Sequence, residues 1–206
     1  MFEIERDLLD KGYKYIVGVD EAGRGALCGD VVAAAVCIDI EDYIEGVKDS
    51  KKISEKKREL FYDEIAEKAF GYGIGRSDSK RVDEINIKNA TKEAMFDAIE
   101  NCKKNLIEKG ISPDIVLVDA EEIKNDTETV SVIKGDQLCY TISCASIMAK
   151  VFRDRLCIKW HEEYPAYNIG KHKGYGTKEH RGAIYELGPS PIHRKTFIKN
   201  VANWKI

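Results

Sequence analysis

Apolar and polar positions alternate and cluster along this chain so as to predict strands in the first two thirds and helices at the end. Residues 15–20 carry Ile16, Val17 and Val19 and read as a strand stopping at the acidic pair Asp20 and Glu21. A glycine-rich turn leads to a second apolar run over 31–38, so the two are expected to form a hairpin. Ser54 is placed to cap a helix reaching Ala69, in which Leu60, Phe61, Ile65 and Ala69 recur at helical spacing among Lys and Glu. Over 70–77, Phe70, Tyr72 and Ile74 alternate with Gly71, Gly73 and Gly75, the period of a third strand. A helix over 86–104 puts Ala90, Ala94, Ala98 and Cys102 on one face, small enough to lie close on a sheet. Residues 114–119 are nearly continuously apolar, as in a strand covered on both sides. After a polar loop over 120–128, residues 130–134 suggest another strand ending at Gly135 and Asp136. A long helix over 141–163 carries Ala145, Met148, Ala149, Phe152 and Leu156 on its apolar stripe, and Thr177 is placed to cap a last helix ending near Gly188. The order strand, strand, helix, strand, helix, strand, strand, then helices, predicts an α/β fold: a mixed sheet flanked by helices.

Length and composition narrow the class. At 206 residues, 43% hydrophobic and 33% charged, the chain can bury a core large enough to need no disulfide staple. The longest apolar stretch is far shorter than the roughly 20 residues of a membrane-spanning helix. The first residues are acidic and unlike a secretory signal, so a cytoplasmic protein is expected. The six cysteines include no Cys-x-x-Cys pair and sit within apolar runs, which predicts buried reduced thiols. The four histidines lack zinc-site spacing, so no structural zinc is expected. Net charge is −3, unevenly distributed: residues 1–138 carry −10 and residues 139–206 carry +7. A basic C-terminal part on an acidic protein is compatible with a polyanion held on one face, although a solvated helical surface would show the same balance.

The chemistry concentrates at strand ends. Three strand-like segments finish in carboxylates, and if those ends adjoin, Asp20, Glu21, Asp119 and Asp136 meet. Four such acids cannot all stay ionised without compensation. An all-oxygen, histidine-free set favours hard divalent cations, Mg²⁺ or Mn²⁺, and two of them match the charge of four acids. Two ions about 4 Å apart clamp the attacking water and leaving oxygen of a phosphoryl displacement. Asp136 taken alone is as well explained by capping the helix after it.

Five ordered segments then carry a resemblance. Asp20-Glu21-Ala22-Gly23-Arg24-Gly25, Asp49-Ser50-Lys51-Lys52-Ile53-Ser54, Lys134-Gly135-Asp136, the run from Ser143 to Asp154, and His172-Lys173-Gly174-Tyr175 closely resemble type 2 ribonuclease H (ribonuclease HII), in matching order and spacing from about residue 15 to about residue 197. The resemblance implies a ribonuclease H-like sheet with a helical C-terminal region, a catalytic core over 1–138, and a basic substrate-binding part over 139–206 packed on it. It implies a metal-dependent endonuclease that hydrolyses the phosphodiester 5′ of a ribonucleotide, in RNA/DNA hybrids or in duplex DNA with embedded ribonucleotides, leaving 3′-hydroxyl and 5′-phosphate ends. Two Mg²⁺ or Mn²⁺ ions, a monomer and no protein partner go with it.

Carried over by position, the family's metal-binding acids fall on Asp20, Glu21, Asp119 and Asp136. Gly23, Arg24 and Gly25 match a turn whose backbone contacts the ribose 2′-hydroxyl, a task for which glycine permits close approach. Tyr175 matches the aromatic ring packed on the next deoxyribose, which rejects an added hydroxyl. Lys51, Lys173 and Arg194 are candidate phosphate contacts, and Ser143, Ser146 and Lys150 share one face of the long helix beside Asp136. Lys52 reads better as a solvent-facing turn residue and His172 as structural. Gly176 stands where the family often has proline, Cys28, Asp30 and Cys144 also depart from its pattern, and residues 121–129 fit it poorly. A hybrid-binding module without turnover, and another two-metal nuclease of the same fold, are the competing readings. The complete acidic set argues against the binder, because four unused acids would only destabilise it.

Overall fold

The computed structural model describes residues 2–47, 53–200 and 203–204. Asp49, Ser50, Lys51 and Lys52 lie outside the described residues. Among the described residues, five strands, β1 (Ile16–Ala22), β2 (Val31–Cys37), β3 (Gly71–Ser77), β4 (Ile115–Asp119) and β5 (Thr129–Val132), form one sheet in the order β3-β2-β1-β4-β5. β2 runs antiparallel to β1 and β3, whereas β4 is parallel to β1 and β5 to β4. The expected hairpin and mixed sheet are therefore present. β1 lies at the middle, which places its C-terminal end beside that of β4.

The helices are α1 (Glu3–Asp10), α2 (Glu55–Lys68), α3 (Ser79–Glu108), α4 (Gly135–Leu138), α5 (Tyr140–Glu163), α6 (Ile169–His172) and α7 (Lys178–Leu187), with a 3-10 turn at Pro165–Tyr167. None of the described helices is long and apolar enough to cross a membrane. α3 covers one face of the sheet, where Val17, Val19, Val31, Ala33 and Ala35 meet Ala90, Ala94, Ala98 and Cys102 in one core. The expected small-residue face is thus the contact face, and β3 is shaped to receive it. A Cβ on Gly73 would stand 2.3 Å from the Ala98 carbonyl oxygen, and one on Gly75 would stand 2.0 Å from that of Ala94. α3 starts earlier than its apolar pattern suggests, because Asp78 caps it by accepting from the Arg81 N–H at 2.7 Å and the chain turns at Asn86 (φ 68°) before continuing.

α5 and α2 cover the other face, with Ala34, Val36, Phe61, Ile65, Ala145 and Met148 in a second core. Ser54 and Thr177 cap α2 and α7 as expected, accepting from Lys57 and His180 N–H. Leu60, expected on the apolar stripe of α2, is exposed instead: the buried positions are Phe61 and Ile65, so the stripe is narrower than its spacing implies. All six cysteines are free and buried.

α1 has no counterpart in the expected elements, yet it ties down the helix nearest the acids. Glu5 is buried, and its carboxylate accepts from Tyr140 N at 2.9 Å, Thr141 N at 2.7 Å and Thr141 Oγ1 at 2.8 Å. It supplies the N-cap that Cys139 does not.

Candidate active site

The sheet's topology brings the acids together. β1 and β4 are paired through Val19 and Val118, so Asp20 and Asp119 sit side by side one residue further on, on strands about 4.8 Å apart. Alternation sends Asp20 and Asp119 to the α5 side, where Gly18 and Leu117 also point, and sends Glu21 toward α3. The pair at 20 and 21 therefore straddles the sheet's end. The backbone bends sharply around it: Gly23 has φ 94°, Ala120 φ 50° and Lys134 φ 59°. The two non-glycine residues there hold left-handed conformations, a strain that tends to gather at functional sites.

Hydrogen bonds tie the third segment in. Gly135 N donates to Asp119 Oδ1 at 2.7 Å, and a Cβ on Gly135 would meet Ile142 Cδ1 at 2.5 Å, so glycine lets α4 approach the end of β4. That contact brings Asp136, itself buried, next to Asp119 in the fold. Ser143 Oγ donates to the Asp136 carbonyl oxygen at 2.6 Å, and Ser146 hydrogen-bonds the Asp20 carboxylate. The two serines share the helix face expected of them and act on the acids.

The electrostatics fit cation ligands. Burial, then the charges of Glu21 and Asp119, push the Asp20 carboxyl well above its ordinary value, while Ser146 and the Glu21 N–H, which donates to Asp20 Oδ1 at 2.7 Å, pull it back. Burial also raises Glu21 against the pull of Arg24. Glu21 Oε2 is buried with no hydrogen-bond partner, and an orphaned carboxylate oxygen among other acids is where a hard cation would be expected to bind. No three of these carboxylates bring one oxygen each within 4.8 Å of one another. An all-oxygen donor set of this kind fits Mg²⁺ or Mn²⁺.

One acid that the sequence pattern did not single out lies beside Glu21, sharing Arg24 with it. Glu121, 7% exposed, forms an ion pair with Arg24 Nη1 at 3.0 Å, while the same nitrogen donates to Glu21 Oε1 at 3.3 Å and Lys92 Nζ lies 3.9 Å from Glu121 Oε2. This gives the start of the poorly matching loop a place beside the site. Its only sequence signal was an acid two residues after Asp119.

The glycine turn and the tyrosine are also adjacent. Gly25 and Tyr175 are exposed, a Cβ on Gly25 would lie 3.9 Å from Tyr175 Cε1, and Ala26 pairs with Tyr175 in an antiparallel bridge. Behind them lie two buried arginines. Arg153 donates to the carbonyls of Asp30 at 3.0 Å, Lys173 at 2.8 Å and Cys28 at 3.2 Å, with its guanidinium 5.6 Å from the Tyr175 ring centroid.

Arg194 requires a correction. It is fully buried and donates to the carbonyls of Arg24 and Ala26 at 2.9 Å and Gly29 at 3.0 Å, so it braces the turn from within instead of touching a phosphate. Lys150 is engaged by Asp154, and Lys173 Nζ by Glu55 Oε1 at 3.0 Å. His172 is buried and structural, with Nε2 on the Tyr167 carbonyl at 2.8 Å.

Comparison with known proteins identifies the family and the fold. A family model described as Ribonuclease HII matches residues 17–200. The ribonuclease HII of Alkaliphilus oremlandii is 52% identical over 202 residues, covering 97% of this chain and 98% of that protein. That of Caldicellulosiruptor bescii is 52% identical over 201 residues, covering 97% and 94%. Among solved structures, ribonuclease H2 from Pyrococcus horikoshii superposes with a TM-score of 0.74 at 25% identity, covering 92% of this chain and 98% of that one. Archaeoglobus fulgidus RNase HII, in its complex with PCNA, gives 0.71 at 25% identity, covering 93% and 98%.

Proposed function

This chain belongs to the ribonuclease HII family and is a ribonuclease H, and we propose that it hydrolyses the phosphodiester on the 5′ side of a ribonucleotide in RNA/DNA hybrids and in duplex DNA with embedded ribonucleotides. The observation that carries this reading is the placement of Asp20 beside Asp119 at the end of two parallel strands, with Glu21 Oε2 buried and unpartnered next to them.

Asp20, Glu21, Asp119 and Asp136 would hold two divalent cations, Mg²⁺ or Mn²⁺, which when bound supply an activated water and neutralise charge on the phosphate. The chain's own part is to preset those acids. Ser146 orients Asp20, Gly135 N fixes one oxygen of Asp119, and Ser143 anchors the backbone of Asp136. The Gly23–Gly25 turn offers backbone groups to the ribose 2′-hydroxyl, the group that distinguishes RNA from DNA at a single position. Tyr175, 39% exposed and beside Gly25, packs on the sugar that follows. Arg24 is anchored by Glu21 and Glu121 and can reach a neighbouring phosphate.

The test is incubation with Mg²⁺ or Mn²⁺ and three labelled duplexes: one with a single ribonucleotide, an all-DNA control and a four-way junction. Cleavage of the first alone, leaving a 3′-hydroxyl on the 5′ fragment, is the expected result. Cutting of the junction or of the control would favour a different two-metal nuclease, and binding without cleavage a hybrid-binding module.

A further inference from the structure

We propose that His193 and Arg194 are positioning residues that lock the glycine turn and the Tyr175 loop into one recognition surface, Arg194 holding the turn and His193 holding Tyr175 through His180. The inference rests on the reading of Gly23–Gly25 and Tyr175 as the contact to the ribonucleotide junction. It concerns residues that touch neither the acids nor the exposed surface, since His180, His193 and Arg194 are all at most 2% exposed.

The hydrogen bonds define a one-way relay. Ser190 N–H donates to His193 Nδ1 at 2.9 Å, so that nitrogen carries no proton in the neutral ring and Nε2 must carry it. His193 Nε2 lies 3.1 Å from His180 Nε2, which therefore accepts. His180 Nδ1 then donates to the Tyr175 carbonyl oxygen at 3.0 Å. Burial keeps both rings neutral by pulling each down to about 4, so the relay persists at neutral pH. His172 stacks on His180 with centroids 4.2 Å apart and accepts from Gly174 N–H at 3.2 Å, bracing the residue before Tyr175.

The neighbouring residue grips the other half. Arg194 reaches the carbonyls of Arg24, Ala26 and Gly29, its own N–H donates to the Leu27 carbonyl at 2.9 Å, and Cys28 pairs with His193 in an antiparallel bridge. Two consecutive residues thus hold the two surfaces between which a sugar would sit. Arg194 does so at a cost: its Nη2 is buried without a partner, and burial lowers the guanidinium to about 10.

Cys28, His180 and His193 also bring one ligand atom each within 4.8 Å of the others, as a metal site would. The relay disfavours that use, because His193 Nδ1 already accepts from a backbone N–H and its Nε2 would have to lose its only proton to bind an ion. Burial also pushes the Cys28 thiol up to about 12.

The test is a double-mutant cycle on the single-ribonucleotide duplex, with a long RNA/DNA hybrid as the second substrate. His193→Ala should lower kcat/KM at least tenfold on the first and less than threefold on the hybrid, where the following sugar is a ribose and the Tyr175 contact is lost in any case. In a Tyr175→Ala background the same change should cost less than twofold. His193→Gln, whose amide can donate to His180, should recover most of the loss, and Arg194→Lys, which loosens the turn facing the 2′-hydroxyl present in both duplexes, should lower kcat/KM on both. Equal losses on both substrates with His193→Ala, additive losses in the cycle, or wild-type kcat/KM on both substrates with Arg194→Lys overturn the positioning roles. Should His193→Ala fail to fold, nitrogen NMR of the wild-type histidines decides: protons on His193 Nε2 and His180 Nδ1 between pH 6 and 8 uphold the relay, and the opposite tautomers or charged rings overturn it. A wild-type enzyme that does not cut the single-ribonucleotide duplex overturns the substrate reading itself, an outcome distinct from cleavage with additive losses.

Discussion

Gly18 lies against the first turn of α5 so closely that a Cβ on it would stand 2.2 Å from the carbonyl carbon of Thr141 and 2.3 Å from Ile142 N. The contact sets the depth at which α5 seats on β1, and so whether Ser146 reaches Asp20 two residues further along the strand. Only a residue without a side chain permits it.

Gly18→Ala must therefore lift α5 or distort β1. Overpacking of a tight core site costs about 1–3 kcal/mol, and contact with backbone places this change at the upper end. The expected outcome is a lower denaturant midpoint together with reduced activity of the folded fraction, as Ser146 withdraws from Asp20. A variant with wild-type midpoint and turnover would show that α5 can shift freely.

How much of this could be read along the chain follows from the range of each interaction. The acids at the ends of β1 and β4, the alanine face of α3 and the caps at Ser54 and Thr177 are local patterns, and each appears where expected, whereas the third such strand, β5, stops at Val132 and Asp136 lies inside α4 instead of at a strand end. Glu5 capping a helix 135 residues away is not local, nor is the junction of Arg194 with carbonyls near residue 26. A buried arginine and a phosphate-binding one have the same letter, and only packing distinguishes them, which is why Arg194 is inside and not at the surface. The helix expected from residue 86 does continue from the turn at Asn86, and what the apolar pattern missed is the helical segment 79–85 ahead of it.

Glu5→Ala leaves the N–H groups of Tyr140 and Thr141 without their acceptor, an unsatisfied-donor penalty of about 1–3 kcal/mol. Glu5→Gln keeps the shape and isolates the charge. Burial raises the Glu5 carboxyl in the folded protein, so the folded state holds its proton more tightly, and the associated stability is present below the ordinary carboxyl value and lost as pH rises through the raised one. The wild type should accordingly lose ground relative to Glu5→Gln as pH climbs from 4 toward 7, measured by urea midpoints at each pH. A constant difference would mean that Glu5 does not titrate in this range.

Asp20→Asn removes the carboxylate that burial, Glu21 and Asp119 hold well above its usual value. The sign is the same: the wild type loses stability as pH rises above the ordinary Asp value, and the variant is spared that loss. In chelator at pH 8 the variant should melt at or above the wild-type temperature, with the advantage fading in acid. Adding Mn²⁺ should raise the melting temperature of the wild type by mass action and shift the variant much less, while cleavage by the variant falls by orders of magnitude. A full metal shift in Asp20→Asn would remove Asp20 from the ligand set.

Arg153 and Gly23 form a matched pair whose two halves can be broken separately. A Cβ on Gly23 would stand 2.0 Å from Arg153 Nε, and Gly23 has φ 94°, so Gly23→Ala meets both a side-chain clash and a strained backbone. Arg153→Lys relieves the clash but replaces a planar fork of donors with a single ammonium, which cannot reach the Asp30, Lys173 and Cys28 carbonyls together. Each orphaned buried carbonyl costs about 1 kcal/mol or more, so Arg153→Lys should lower the denaturant midpoint by the equivalent of about 2–4 kcal/mol. Because the clash in Gly23→Ala is with the arginine itself, combining the two changes should destabilise less than their sum, the backbone part of the glycine penalty alone surviving. Additive destabilisation in the double variant would show that the φ at Gly23, not contact with Arg153, is what demands glycine there.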